Sequence, residues 1–337
     1  MKVLVTGASG YIGSHTALEL LNAGHEVVGF DNLSNSTEDS VARVRELSGK
    51  PFRFERLDLL DTAGLTALLK GGFDAVLHFA GLKAVGESVE KPELYRQNNV
   101  VGSENLLAAM KAGGCRRLIF SSSCTVYGEV RKNPVDESHP RSAVNPYGGT
   151  KLAVEDRCLA LARAEKGWHI ALLRYFNPVG AHESGRIGED PRGIPNNLMP
   201  FVMQTAVGRR AKVNVWGNDY PTPDGTGVRD YIHVVDLALG HLAALENVDS
   251  FDGAQAVNLG AGRGYSVLEM IAAASKAAGR DIPYEIMPRR PGDSAAIWAE
   301  PALAKRKLGW STTRGIDRMC ADHWRWQKNN PDGYRPA

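Results

Sequence analysis

Cysteine is scarce in this chain, and the four present, Cys115, Cys124, Cys158 and Cys320, stand far apart, with no CxxC pair and no histidine cluster at zinc spacing. That spacing excludes a disulfide framework and a structural metal site, so the four read as small buried hydrophobes. Charge of one sign is also lacking. Lys and Arg number 40 against 38 Asp and Glu, spread along the chain, and no nucleic-acid surface is expected. No apolar run reaches the roughly 18 residues of a membrane span. The opening Met1-Lys2-Val3-Leu4-Val5-Thr6-Gly7 reads as a core strand rather than a signal peptide, which predicts a cytoplasmic protein away from membranes. Internal repeats and low-complexity tracts are missing too.

What is present is apolar material enough for a large core, 43% of 337 residues. Strand-length apolar runs at Val3–Val5, Glu26–Phe30, Phe52–Leu57, Ala75–Phe79, Arg117–Ser121 and His169–Arg174 alternate with amphipathic helix-length segments. Repeated β-α units predict an α/β fold, a Rossmann-type doubly wound parallel sheet with helices on both faces. Beyond Asn177 the alternation fails. A Pro/Gly-rich stretch from His182 to Pro200 leads into a smaller mixed α/β lobe, so residues 1–177 and 178–337 are expected as two lobes between which the chain is free to cross. The loop from Gly217 to Gly225 is long enough to suggest a binding role.

Between the first strand and the first helix lies Thr6-Gly7-Ala8-Ser9-Gly10-Tyr11-Ile12-Gly13. Gly7 permits the tight turn, Gly10 lets backbone approach a pyrophosphate, and Gly13 lets helix and strand pack closely, while the helix N-terminus offers free amides to phosphate. Asp31, at the end of the second strand, either binds adenosine ribose hydroxyls or begins a turn with Asn32. Its charge would repel a 2'-phosphate, favouring NAD over NADP. Asp58 suits the adenine amine and could equally cap the next helix. Lys83, after Phe79 and Ala80 at the fourth strand's end, lies where the binding crevice should be, and Asn98 is a helix amide able to face the sheet.

A serine-rich strand end, Ser121-Ser122-Ser123, is followed downstream by Pro146-Tyr147-Gly148-Gly149-Thr150-Lys151. Pro146 is placed to start a helix, which sets Tyr147 and Lys151 on one face at i and i+4. A free tyrosine, with pKa about 10, is a poor base at neutral pH. A nearby ammonium and a positive nicotinamide both favour the phenolate, which makes Tyr147 a base for a carbinol hydroxyl while Ser123 holds the same oxygen.

Together TGASGYIG, HFAGLKAVGES, SSSCTVYG, NPYGGTK, LRYFNPVGAH, GIPNNLMP and DGTGVRDYIHVVDLA resemble the UDP-sugar 4-epimerases of the extended short-chain dehydrogenase/reductase family, nearly end to end. The resemblance implies a tightly held NAD lined by Tyr11, Ile12, Asp31, Asn32, Asn35, Ser36, Asp58, Leu59, Phe79, Lys83, Asn98 and Phe176, with Lys151 on the nicotinamide ribose. It implies a UDP-hexose substrate met by Asn177, Asn197, Leu198, Trp216, Arg229, Tyr231, Arg290 and Asp293, with Ile297 beside the hexose. The implied reaction is oxidation at sugar C4, rotation of the keto sugar and reduction on its opposite face, in a homodimer joined through helices near 93–110 and 147–163.

Three departures from the family pattern stand out. Cys124 follows Ser123 where alanine is common, Gly148 and Gly149 weaken the first turn after Tyr147, and in the substrate lobe Trp216 replaces a smaller aromatic residue while Ile297 stands where some members carry tyrosine. A nucleotide-sugar 4,6-dehydratase would share the oxidation step but would place an Asp-Glu pair at Cys124 and Thr125. A non-catalytic NAD-binding regulator would have no need of Tyr147 and Lys151.

Overall fold

The computed structural model describes residues 1–130, 132–193, 195–290 and 293–334. Ile194, within GIPNNLMP, and Pro291 and Gly292 lie outside the described residues. The first part of the chain runs β1 (Lys2–Thr6), α1 (Tyr11–Asn22), β2 (Glu26–Asp31), α2 (Glu38–Ser48), β3 (Arg53–Arg56), α3 (Thr62–Leu69), β4 (Ala75–His78), α4 (Val85–Glu90), α5 (Pro92–Tyr95), a π-helical turn (Arg96–Val101), α6 (Gly102–Ala112), β5 (Arg117–Ser123), α7 (Pro146–Ala164) and β6 (His169–Tyr175). The second part runs β7 (Asn177–Val179), α8 (Leu198–Ala206), β8 (Val213–Trp216), β9 (Val228–His233), α9 (Val234–Glu246), β10 (Gly253–Leu259), β11 (Gly264–Ser266), α10 (Val267–Ala278), β12 (Tyr284–Met287), β13 (Ala296–Ile297), α11 (Ala302–Leu308) and α12 (Ile316–Asn329).

Seven parallel strands form the main sheet in the order β10-β6-β5-β4-β1-β2-β3. Val3, Leu4, Val5, Val76 and Leu77 are wholly buried, as strands covered by helices on both faces must be. The order reverses between β1 and β4, the switch point at whose carboxyl ends a sheet of this kind takes its ligand crevice. Strand β5 runs on to Ser123, past the expected Ser121. Its serines are in register with Leu173, Arg174 and Tyr175, and their hydroxyls are satisfied: Ser121 by the Tyr175 hydroxyl, Ser122 by Glu155 at 2.6 Å.

The chain crosses back after residue 178. Helix α9 lies against α1, and β10 pairs with β6 to complete the main sheet. The rest of the second part builds a smaller lobe from the sheet β11-β9-β13, with β7 also on β9, and from the β12-β8 ribbon. Its core joins Val202 and Met203 of α8, Val213 and Val215 of β8, Met270 of α10 and Met319 of α12.

Candidate active site

At the crevice, Gly7 has φ +65°, and a Cβ there would sit 2.7 Å from the Ala80 amide nitrogen, so turn and sheet both require glycine. A Cβ on Gly13 would overlap the Gly7 carbonyl oxygen at 2.1 Å, which seats α1 directly on β1. Gly10 differs. Its own Cβ would meet, among the described residues, a single atom, Gly7 O at 3.2 Å, a tight contact that a shift of a few tenths of an ångström relieves, so the fold presses for glycine far less there than at Gly7 or Gly13. Gly10 also caps α1 without any side-chain hydrogen bond, and the first turn has no acidic residue. Helices α2, α3, α7 and α10 have Thr37, Asp61, Asn145 and Ser266 for that purpose. An uncapped N-terminus fits a dinucleotide pyrophosphate.

Asp31 ends β2, its Oδ1 accepting from the Leu33 amide at 2.9 Å and the Ser36 hydroxyl at 3.1 Å. Leu33 stands at φ 60°, which turns the chain and leaves Asn35 exposed. Asn32 donates to Asp58 at 2.7 Å, joining the ends of β2 and β3. Asp58 does not cap α3; Asp61 does, accepting from Gly64 N. Leu59 is buried in the core, so any part it has in binding falls to its backbone. Tyr11 donates to Gly180 O at 2.7 Å, tying the loop to the second half of the chain, while Ile12 packs on the core.

Strand β5 and α7 bring the three chemical side chains together. Asn145 caps α7 through Gly148 N and Pro146 occupies its first turn, fixing Tyr147 at the helix start. Burial pushes the Tyr147 hydroxyl up to about 12, opposed by a hydrogen bond from Ser123. Ser123 Oγ also accepts from the Thr125 amide and hydroxyl. Lys151 is buried, its ammonium donating to Ser121 O at 2.7 Å and lying 5.0 Å from the Phe120 ring centre. Burial lowers its pKa to about 8. The cation that sequence spacing places beside Tyr147 is therefore directed at the β5 backbone here, and Ser123 is the group that eases Tyr147 ionisation.

Around this group, Phe79 stacks on His241 at 4.7 Å and Ala80 N donates to Thr6. Lys83 pairs with Glu189 at 2.9 Å. Asn98 lies in the π-helical turn and donates to Asn99. The buried amide of that pair is Asn99, which bonds both Leu82 backbone groups and the Thr150 hydroxyl; the motif Gln97-Asn98-Asn99 gave no means of ranking the two. Glu189, inside the Pro/Gly-rich stretch, carried no sequence signal at all. Cys124, half-buried, is a packed thiol, pushed up to about 12 by burial.

Across the crevice, Asn177 and Tyr231 are register partners on β7 and β9, and Tyr231 is buried. Asn197 is the residue before α8 and Leu198 its first. Trp216, at the end of β8, is 36% exposed rather than core, and the Arg290 guanidinium lies 5.8 Å from its ring centre while pairing with Asp293. Arg229 faces Ile297 across the β9–β13 pairing. Ile297 is buried and packs with Phe176, Val126 and Cys124. Asp230, missed in the sequence, accepts from the amides of Ala261, Gly262 and Ala299, so it fixes β9 to the end of β13; burial lifts it to about 6.

Residues 4–323 match the family model described as GDP-mannose 4,6 dehydratase. UDP-glucose 4-epimerases of Bacillus subtilis and Homo sapiens are each 56% identical, over 100% of this chain and 100% of the former, and over 99% of this chain and 98% of the latter. A crystal structure of UDP-glucose 4-epimerase from Bifidobacterium longum in complex with NAD+ and UDP superposes with a TM-score of 0.96 at 50% identity, covering 99% of this chain and 100% of that one. Identity of this order over the whole length, on a fold whose dinucleotide crevice and Ser-Tyr-Lys group have just been located, places the chain: it belongs to the UDP-glucose 4-epimerase family.

Proposed function

We propose that this protein interconverts UDP-glucose and UDP-galactose through NAD-dependent oxidation and reduction at sugar C4. The observation that carries the reading is the placing of Ser123, Tyr147 and Lys151 at the carboxyl edge of β5 and the start of α7, in a chain whose glycine loop opens α1 without a side-chain cap. NAD, when bound, supplies the acceptor and donor of hydride. The uncapped first turn of α1 would hold its phosphates, and Asp31 its adenosine ribose. Tyr147 takes the 4-hydroxyl proton and later returns it, with Ser123 holding the reacting oxygen. Trp216 offers a ring face to uracil, and Arg229 and Arg290 offer cations to the diphosphate. The nucleotide stays anchored while the hexose turns.

The dehydratase alternative lacks its acid/base pair, since Cys124 and Thr125 stand at those positions, and a regulator would have no use for Tyr147 and Lys151. The lobes divide the work, 1–177 for NAD and 178–337 for the UDP-sugar, with α9 and β10 returning to the NAD side. Among the described residues no helix is long and apolar enough to cross a membrane, in keeping with a cytoplasmic enzyme. Exposed Val89 and Leu94, near the 93–110 helices, support a homodimer face with α7; light scattering that finds only monomer would remove it. The deciding experiment incubates purified protein with UDP-galactose and no added reductant. UDP-glucose is expected; a 4-keto-6-deoxy product would give the dehydratase instead, and no turnover by NAD-loaded protein would give the regulator.

A further inference from the structure

Among the described residues, Glu189 is the one carboxylate that touches candidate residues of both lobes. Its Oε1 accepts from Lys83 Nζ and from Asn197 Nδ2, each at 2.9 Å. Lys83 follows β4 on the dinucleotide side, and Asn197 stands before α8 on the nucleotide-sugar side. The Glu189 side chain is 3% exposed, and its Oε2 has no partner among the described residues. A buried carboxylate with half its acceptor capacity unused is costly, and the Lys83 ammonium offsets part of that cost by pairing with it. Its flanks are fixed. Trp326 of α12 donates to Glu189 O at 3.2 Å, and the Tyr334 hydroxyl both accepts from Gly188 N and donates to Gly188 O. The backbone that carries the carboxylate is thus held by the C-terminal helix and tail, while the carboxylate itself uses one N–H of Lys83 and one of Asn197. Two N–H of the Lys83 ammonium, which is 45% exposed, and one of the Asn197 amide stay available to a ligand.

We propose that Glu189 is a positioning residue that sets Lys83 toward the bound dinucleotide and Asn197 toward the bound nucleotide sugar, so that one side chain tunes affinity for both. The inference rests on the function proposed above. It touches no reacting atom, so its signature is in binding rather than in the chemical step. Losing the charge frees Lys83 to move over its rotamers and removes the acceptor that orients both donors. A charge-assisted bond of this kind changes an equilibrium by roughly ten- to hundredfold.

The test measures NAD dissociation by cofactor release, and KM and kcat for UDP-galactose, on purified dimer or monomer as isolated. Glu189→Gln is expected to speed NAD release and raise KM, each about tenfold or more, with kcat held within about threefold. Glu189→Asp should recover part of both. A purely structural role would lower the folded fraction and kcat while leaving the NAD release rate and KM of the folded enzyme unchanged, and that result overturns the proposal. Should Glu189→Gln fail to fold, Lys83→Met and Tyr334→Phe serve. Each should speed NAD release, and the proposal falls if neither does so by twofold. A wild type that binds NAD but never epimerises refutes the proposed function while leaving the NAD-release arm of this test standing.

Discussion

Gly10→Ala and Gly13→Ala look alike in sequence but should fail for opposite reasons. At Gly13 the added Cβ lies 2.1 Å from Gly7 O, more than 1 Å inside the usual contact distance of about 3.4 Å, and the obstacle is backbone on both sides. Helix α1 must lift from β1, and overpacking of that sort costs about 1–3 kcal/mol or more. At Gly10 the single neighbour is 3.2 Å away and the backbone, φ −72° and ψ 170°, is one that alanine adopts freely. The fold's cost there is a few tenths of a kcal/mol, which the stiffer unfolded chain roughly cancels at about 0.4–1 kcal/mol. The methyl group instead fills the space a phosphate needs to come within about 3 Å of the α1 amides. Two charge-assisted bonds lost at about 1.5–3 kcal/mol each weaken NAD binding by roughly two to four orders of magnitude. Urea unfolding of cofactor-free protein and NAD titration of the same samples separate the cases. Gly13→Ala should unfold early; Gly10→Ala should unfold with wild type yet bind no NAD at micromolar concentration. If Gly10→Ala holds NAD normally, the uncapped turn is not the phosphate site.

Tyr147→Phe should cut epimerisation by two orders of magnitude or more while NAD stays bound, and near-normal turnover would remove Tyr147 as the base. Lys151 is depressed to about 8 from 10.5, so between those values the unfolded chain holds a proton that the folded protein does not, and wild-type stability rises with pH. Relative to Lys151→Met it should gain up to about 3 kcal/mol from pH 8 to 10.5 in urea unfolding, and parallel curves would refute the burial argument. A Cβ on Gly149 meets nothing within 4 Å among the described residues, so Gly149→Ala should stabilise α7 by about 0.5–1 kcal/mol, whereas Gly148→Ala, facing Thr125 O at 3.1 Å, should not. Wild type is expected to epimerise UDP-N-acetylglucosamine moderately and Ile297→Tyr to lose that activity first; equal acceptance by both would show that Ile297 is not the gate.

What the sequence revealed and what it hid follow from distance along the chain. The glycine loop, Asp31 and the Tyr147–Lys151 pair are local patterns, each fixed by one turn or one helix, and each was readable where it stood. The seventh strand was not, because β10 joins the sheet only after α9 has crossed back to α1, and nothing in Gly253–Leu259 names β6 as its neighbour. Asp58 read on paper as a possible cap of the next helix, and only the turn geometry gave that role to Asp61. Glu189 and Asp230 act by gathering groups from sequence-distant segments, so no spacing betrays them.

The same reasoning explains why the nucleotide end of the crevice is written in residues and the sugar end is not. Anchoring a diphosphate and a base calls for cations and a ring face, chemistry that Arg229, Arg290 and Trp216 can offer, although singly each reads as well as surface charge or core and only the family resemblance picked them out. A hexose that must turn over between two half-reactions needs walls without fixed partners, since any hydrogen bond to one orientation would hinder the other. In the reading proposed above, that wall is the apolar cluster of Phe176, Val126 and Ile297 with half-buried Cys124 beside it. Its members come from β5's end, the β6–β7 junction and β13, and they meet only because Asp230 binds the Ala299 amide and the β9–β13 register sets Ile297 opposite Arg229. On that same reading, the sugar's space is set by register and not by motif, and Ile297→Tyr tests it by adding a ring and hydroxyl to that wall, with inhibition by UDP alone reporting any change at Arg229, the register partner of Ile297.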